Sequence, residues 1–341
     1  MRKYTVMIIY GGEGYECEIS KNSACRFEKI KEDTSFLLTF VYISKDGRWY
    51  LSKNSTVSDK PCELLPLTLT RGGFVACGRY VGVDLALPVM HGDRGEDGYI
   101  TSVLSHFGIR CYGSPYYTAS LVRDKAAVKL FARDIGIDNA DFAYFPEGYC
   151  PSEEELASIS GRLGFPLFVK PRRLGSSVGA SRVDAIEELA PAIERASMPF
   201  GGGVMIEKFV SAQLEAECGY LEWGGSRFAV GAVLTGGREY SYERKYLGSD
   251  SVAVTDDYPR GEGERDEIIK RSRALVSALG IRSMCRVDFF VTAGGGILFN
   301  EINLIPGFTA DSLFPRLFFK TDTDLADWLC YAVREAMPYK W

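Results

Sequence analysis

Two apolar runs, Val287-Asp-Phe-Phe-Val291 and Ile297-Leu-Phe-Asn-Glu-Ile-Asn303, flank the segment Thr-Ala-Gly-Gly-Gly, a pattern that reads as a β-hairpin. A turn centred on Gly294 and Gly295 sets Asp288 directly across from Glu301. Side chains alternate along a strand, so Asn303 shares the face of Glu301. Two carboxylates and an amide oxygen then converge on one patch. Left bare, the carboxylates repel each other; a hard divalent cation removes that penalty and prefers oxygen ligands. Magnesium takes few protein ligands and leaves its other positions to water and nucleotide phosphates, so the pattern reads as a metal–nucleotide site. The competing reading is a solvated hairpin face that happens to be acidic. Arg286 just before the pair, and Leu304-Ile-Pro-Gly307-Phe-Thr309 just after it, favour the site.

A second group of residues suits the other half of an ATP site. Lys170 ends an apolar strand and precedes Pro-Arg-Arg-Leu-Gly-Ser-Ser-Val-Gly179. A strand-end ammonium facing a Gly/Ser loop neutralises phosphate charge while backbone amides donate to it. No G-x-x-x-x-G-K-[ST] run occurs, so this is not a Walker-type loop, and taken alone such a loop is more often a plain turn; beside the acidic hairpin it becomes the second half of an ATP site. Glu207 and Glu215 bracket a strand-to-loop passage where carboxylates can accept from an adenine amino group and ribose hydroxyls; exposed polar residues at a strand edge are the alternative. Lys125, in Arg-Asp-Lys at the head of a helix, stands where anions are attracted. His91 closes a buried strand, the usual place for ligands of open α/β sheets, whereas His106 reads as a structural histidine inside a helix. The first turn, Gly11-Gly-Glu-Gly-Tyr-Glu16, is not the G-x-G-x-x-G dinucleotide fingerprint.

The whole chain limits what these residues can belong to. Its 341 residues suffice for two or three domains, and 46% hydrophobic with 25% charged residues is the balance of a soluble globular protein. A net charge of −5 argues against nucleic acid as a partner, so anionic ligands must be caught by local cations. No apolar run approaches the length of a membrane span, and the short apolar N-terminus reads as a first buried strand, not a leader. Nine cysteines without a C-x-x-C pair suit a reducing cytoplasm, and two histidines exclude histidine-rich metal chemistry.

The positioning elements follow from periodicity. Strands are expected over residues 4–10, 37–44, 49–53, 84–90 and 110–112, with helices to about residue 31 and over 100–107. That alternation predicts a small doubly wound domain in the first third. Beyond it, helices are expected over 123–135, 152–163, 186–196 and 264–279. Strands are expected over 142–145, 166–170, 181–183, 204–209, 217–222 and 228–234. Residues 241–263 lack periodicity and read as a lid, mobile without ligand and closed over it.

In this order the segments resemble the D-alanine–D-alanine ligase family of ATP-grasp enzymes, over nearly the whole chain. The resemblance is carried by His-Gly-x-x-Gly-Glu-Asp-Gly at 91–98, Lys-Pro-x-x-x-Gly-Ser-Ser-Val-Gly at 170–179, Lys245-Tyr246, and Arg-Val-Asp through Asn-Glu-Ile-Asn to Pro-Gly-Phe-Thr at 286–309. It implies an α/β fold, with a Rossmann-like domain at 1–115 followed by a two-lobed ATP-grasp at 116–203 and 204–341. The implied reaction joins two D-alanines for peptidoglycan precursors. ATP phosphorylates one carboxylate, and the second amine attacks the acyl phosphate. By resemblance Lys125, Lys170, Ser177, Glu207, Lys208, Val210, Glu215 and Lys245 hold the nucleotide. Asp288, Glu301 and Asn303 hold two magnesium ions, for which manganese can substitute. Arg286 and the Gly307 amide stabilise the oxyanion. Glu16, supported by Ser176 and Tyr246, pairs with the first ammonium, His91 lies beside that substrate, and Ser312 and Leu313 line the second subsite. The family also implies a cytoplasmic homodimer.

Several positions depart from the family pattern. Gly14 and Cys17 replace the usual serine and histidine around the first-loop glutamate, Thr101 or Ser102 stands for a glutamine, and Leu304 stands for a threonine. The spacing from Glu207 to Glu215 is one residue longer than the family's, and residues 249–257 replace the usual aromatic and Pro-Ala lid segment. Two alternatives remain open from sequence: a D-alanine–D-serine or other amino-acid amide ligase, and a non-catalytic nucleotide-binding regulator.

Overall fold

Strand β1 (Thr5–Gly11) is buried along its whole length, because the run Val-Met-Ile-Ile-Tyr has no polar face to offer water. The computed structural model, which describes residues 3–198, 202–234, 253–309 and 311–336, pairs it in parallel with β2 (Leu37–Ile43) and β7 (Leu85–Pro88). Helix α1 (Cys17–Lys29) makes the crossover from β1 to β2. From β2 the chain folds back through β3 (Trp49–Ser52), β4 (Leu64–Thr70), β5 (Gly73–Ala76) and β6 (Arg79–Gly82), each antiparallel to its predecessor. The sheet order is β6-β5-β4-β3-β2-β1-β7. The doubly wound expectation therefore holds only for β1, β2 and β7. Strands β4 to β6, not anticipated from sequence, are only partly buried: Leu64, Leu67, Phe74 and Ala76 face the core, whereas Pro66, Thr68, Arg79 and Tyr80 are exposed. The strand expected at 110–112 is a single bridge between Cys111 and Ala86. Helix α2 (Tyr99–His106) follows β7.

The helix expected over 123–135 is α4 (Lys125–Asp134), and a separate helix not anticipated from sequence, α3 (Tyr116–Arg123), ends just before it. Asp124 breaks the two apart: its backbone is extended, and its carboxylate accepts from Ala126 N (3.1 Å) and Ala127 N (3.3 Å) as the cap of α4. Arg172 closes on the same carboxylate at 2.5 Å. This break puts Lys125 at the first position of a helix.

A four-stranded sheet, β10-β9-β11-β8, contains β8 (Phe142–Phe145), β9 (Leu167–Pro171), β10 (Ser181–Val183) and β11 (Val204–Lys208). Helices α5 (Glu153–Leu163) and α6 (Ile186–Ser197) cover one face, burying Leu156, Leu189 and Ala192 on Leu167, Val169 and Ile206. A five-stranded sheet, β14-β13-β12-β15-β16, contains β12 (Ala212–Glu222), β13 (Ser226–Leu234), β14 (Ala253–Thr255), β15 (Met284–Thr292) and β16 (Ile297–Asn303). Helix α7 (Glu262–Ala278) and Val128 and Ala132 of α4 pack on its apolar face around Phe289 and Phe299. The first part of the expected lid, 241–252, lies outside the described residues. Its last part is ordered: β14 pairs with β13 and α7 begins at Glu262.

Two further helices close the chain, α8 (Leu313–Phe318) and α9 (Asp322–Ala336). Trp328 of α9 is fully buried against Phe27 of α1, Tyr112 and Phe308, so the last helix fastens the loop after β16 to the first domain. Among the described residues no helix is long and apolar enough to cross a membrane.

Candidate active site

The hairpin of β15 and β16 pairs Asp288 with Glu301 and Arg286 with Asn303. The route to that pairing differs from the expected one. The turn centres on Gly294: Thr292 N donates to Gly296 O (2.9 Å) and Gly295 N to Thr292 O (3.0 Å). That register opposes Phe289 to Phe299, and a bulge at Asn300 supplies the extra residue that brings Glu301 against Asp288. Arg286 forks onto Asp288, with Nε to Oδ1 at 2.8 Å and Nη2 to Oδ2 at 2.7 Å, and its Nε lies 3.3 Å from Glu217, across the sheet on β12. Asn303 Nδ2 donates to Asp288 Oδ2 (3.0 Å), and Lys125 Nζ stands 3.6 Å from Glu301.

Burial pushes the Asp288 carboxyl up to about 6, with Glu217 and Glu301 adding to the rise and Arg286 opposing it. Three carboxylates thus share one guanidinium and one ammonium. Asn300 adds an oxygen, its Oδ1 being buried without a hydrogen-bond partner among the described residues. An all-oxygen set with excess negative charge, crowded enough that its neighbours help push the Asp288 carboxyl up, fits a hard divalent cation.

The facing sheet supplies the other wall of a cleft of about 140 Å³. Of the expected nucleotide residues, Lys125, Lys170 and Ser177 line it from one side. Glu207, Lys208, Val210 and Glu215 line it from β11 and β12. Lys208 spends its ammonium on the carbonyls of Gly164 (3.0 Å) and Phe165 (3.2 Å). The long spacing to Glu215 has a local cause: β12 bulges between Ala212 and Leu214, so Gln213 is absorbed and Glu215 pairs in step with β13 and β15. Ser176 and Ser177 both take positive φ, 54° and 56°, a strained pair of a kind found where a loop must aim its groups at a ligand.

Glu207 is clasped between Lys170 and Lys129, a residue sequence reasoning passed over. Its signal was there, since Lys125 and Lys129 stand four apart and share one face of α4. Burial would raise the Glu207 carboxyl, but the two ammonium groups outweigh it and hold it at about 2. Burial draws Lys129 down to about 8 against the pull of Glu207. Glu207→Gln is expected to destabilise the fold by about 3–5 kcal/mol near neutral pH, because it strands two buried lysines. The folded carboxyl lies below its ordinary 4.5, so this stabilisation is complete above 4.5 and is lost as pH falls toward 2. Melting curves should show the gap between parent and variant widest near neutrality and closing on acidification. A gap unchanged across that range would refute the pairing.

A larger cavity of about 790 Å³ opens from the cleft, the two sharing Gly175, Ser176, Glu217, Arg286 and Glu301 as common walls. Glu16, His91, Asn303, Gly307, Ser312 and Leu313 line it, while Lys245 and Tyr246 lie outside the described residues. Glu16 accepts a short hydrogen bond from Ser176, joining the first loop to the Gly/Ser loop. A Cβ at Gly307 would come within 2.7 Å of Ser312 Oγ, so a side chain there would force Ser312 to turn away. His91 reaches the cavity wall, but both its ring nitrogens are engaged by protein, with Ser23 at 2.9 Å and Ile305 O at 2.8 Å. Glu96 and Arg123, also unforeseen, lie 3.8 Å apart beside it. Burial pushes the Glu96 carboxyl up despite that guanidinium.

The comparisons with known proteins accord with this geometry. The family model for the D-ala D-ala ligase N-terminus matches residues 5–114, and that for the D-ala D-ala ligase C-terminus matches residues 131–329. The D-alanine–D-alanine ligase of Treponema pallidum (strain Nichols) is 32% identical over 333 residues, covering 92% of this chain and 83% of its own. That of Chlorobaculum tepidum is 33% identical over 351 residues, covering 96% and 95%. Among solved structures, D-alanyl-alanine synthetase A from Vibrio cholerae superposes with a TM-score of 0.85 at 27% identity, over 98% of this chain and 99% of that one. The VanG D-Ala:D-Ser ligase from Enterococcus faecalis superposes with a TM-score of 0.84 at 28% identity, over 97% and 100%. Matched over residues 5–114 and 131–329 by the two family models and over nearly its whole length by these relatives, the chain belongs to the D-alanine–D-alanine ligase family, with its ATP-grasp fold.

Proposed function

We propose that this protein joins two D-alanines into D-alanyl-D-alanine at the expense of ATP, through an acyl phosphate, for peptidoglycan precursors. It does so in the cytoplasm, as a homodimer. The observation that carries the reading is the junction of the two cavities, where Arg286, Glu217 and Glu301 form a common wall and Asp288, on the side of the smaller cleft, is forked by Arg286. A phosphoryl group passing from nucleotide to carboxylate must cross at such a point, and its transfer calls for positioning and charge stabilisation above all.

Within this reading the roles are those that the family resemblance implies. Lys125, Lys170 and Lys245 steady the phosphates, and Ser177, Glu207, Lys208, Val210 and Glu215 seat the nucleoside. Glu16 receives the first ammonium, held by Ser176 and Tyr246, with His91 at that end of the cavity. Arg286 and the Gly307 N–H face the charge that gathers on the substrate oxygen. Asp288, Glu301 and Asn303 are the residues that would hold two magnesium ions, manganese serving in their place, and the ions when bound offset phosphate charge. The segments 1–115, 116–203 and 204–341 are the working parts.

The acceptor follows from Leu313, which is buried in the cavity wall beside Ser312. An apolar leucine offers nothing to a hydroxyl, and an unpaired buried hydroxyl costs about 1–3 kcal/mol. D-Serine should therefore be incorporated about ten- to a hundredfold less efficiently than D-alanine. Chromatography of ADP, phosphate and dipeptide across a panel of amino acids tests the whole reading. D-Alanyl-D-alanine should dominate at equal acceptor concentrations. Dominant D-alanyl-D-serine would overturn the acceptor, and ADP without any dipeptide would overturn the reaction.

A further inference from the structure

The loop from Leu304 to Thr309 carries Gly307 to the wall of the larger cavity, and protein groups bracket it on both sides. On the near side, Ile305 N donates to Glu96 Oε1 (2.8 Å) and Ile305 O accepts from His91 Nδ1 (2.8 Å). On the far side, Phe308 N donates to Ser23 Oγ (3.2 Å). Ser23 Oγ in turn lies 2.9 Å from His91 Nε2, so the brackets form one continuous chain of bonds.

The donors and acceptors assign themselves. A carbonyl only accepts, so the bond to Ile305 places a proton on His91 Nδ1. In the neutral ring Nε2 is then an acceptor. The Ser23 hydroxyl donates to it while accepting from Phe308, and no group is left over. Ser23 and Phe308 are fully buried and His91 and Glu96 nearly so, which makes each of these bonds costly to leave unmade. Glu96 also accepts from Gly92 N (3.0 Å), and Arg123, beside Glu96, is held by Asp93 at 2.9 Å. The segment 91–98 is thus a clamp on the loop, with Ser23 of α1 as its second jaw.

We infer that His91 and Ser23 are positioning residues that fix the Gly307 N–H where the substrate oxyanion forms, and that His91 does not itself bind substrate. The bonds hold Ile305 and Phe308 on either side of the Pro306–Gly307 peptide. Among the described residues that N–H is given no acceptor. A donor aimed at developing charge acts only if it is held in place beforehand. The inference rests on the oxyanion role of Gly307 proposed above.

Three variants separate the two ends of the chain of bonds. His91→Gln keeps an oxygen near the Nε2 position for Ser23 but no donor for Ile305. His91→Asn keeps a donor near the Nδ1 position but nothing for Ser23. Ser23→Ala removes the far bracket and touches no substrate. Each should lower kcat roughly ten- to a hundredfold, a share of the roughly 10²–10³ that a single oxyanion donor supplies, with the KM for ATP and D-alanine little changed. Because Ser23→Ala and His91→Asn break the same link, the double variant should be no slower than the worse single. Parent kcat in Ser23→Ala, losses that multiply in the double variant, or a raised D-alanine KM at unchanged kcat in the His91 variants would each overturn the inference. Should Ser23→Ala fail to fold, the two His91 variants decide it by the same division between kcat and KM. A parent enzyme that makes no dipeptide would instead remove the proposed function on which the inference stands.

Discussion

Asp288→Asn and Glu301→Gln should each lower turnover by at least about a thousandfold while leaving the fold close to its parent stability. Each change removes an anionic oxygen from the hard-ligand set at equal volume. Arg286 keeps Glu217 at 3.3 Å when Asp288 becomes an amide, so no guanidinium is stranded. Losing one of three crowded carboxylates also relieves the repulsion that helps push Asp288 up to about 6. Activity and stability should therefore separate. Steady-state rates over a magnesium titration, alongside melting curves, would show it. A variant that regains near-parent kcat at saturating magnesium would sink the metal assignment. One that loses activity only in proportion to its melting temperature would mean that these carboxylates are structural.

The hairpin was legible because its signal is local: two apolar runs, a glycine turn and alternation place Asp288, Glu301 and Asn303 on one face with nothing else known. Even so, the turn sits half a residue from its expected centre, and the bulge at Asn300 compensates. A bulge has no sequence mark beyond the register it serves. Lys170 and its Gly/Ser loop were equally local. The partners that arrive from afar were not. Glu217 meets Arg286 through a strand pairing 69 positions away in the chain, and Ser23 meets Phe308 across 285. Strands β5 and β6 were missed because each is only four residues long, and β4 because Pro66 interrupts its apolar run. Helix α9 also escaped the sequence reading, although Trp328 within it is fully buried. Glu207 was visible as a carboxylate at the end of a strand, but its clasp by Lys129 depends on how α4 lies against β11, which is a matter of packing.

Arg286→Met is expected to lose at least about a thousandfold in kcat/KM and about 3–5 kcal/mol of stability together. The guanidinium is buried, forks onto both oxygens of Asp288 and touches Glu217. Those neighbouring charges hold its own ionisation well above the ordinary range even though burial opposes it. Without it, Asp288 and Glu217 face each other across the sheet with no cation between them, a far costlier state than the parent pair. Arg286→Lys should recover most of the stability, since it restores the charge. It should stay about a hundredfold slow, because one ammonium cannot satisfy two carboxylates and also point at a substrate oxygen. Magnesium offers a second check. Where the arginine is missing, a dication between the carboxylates does more of the neutralising, so the melting temperature of Arg286→Met should rise more steeply with magnesium than the parent's does. If the two curves run parallel, the carboxylates around Arg286 are not the ones that bind the metal. If Arg286→Lys turns over like the parent, the fork is not aimed at the reacting oxygen.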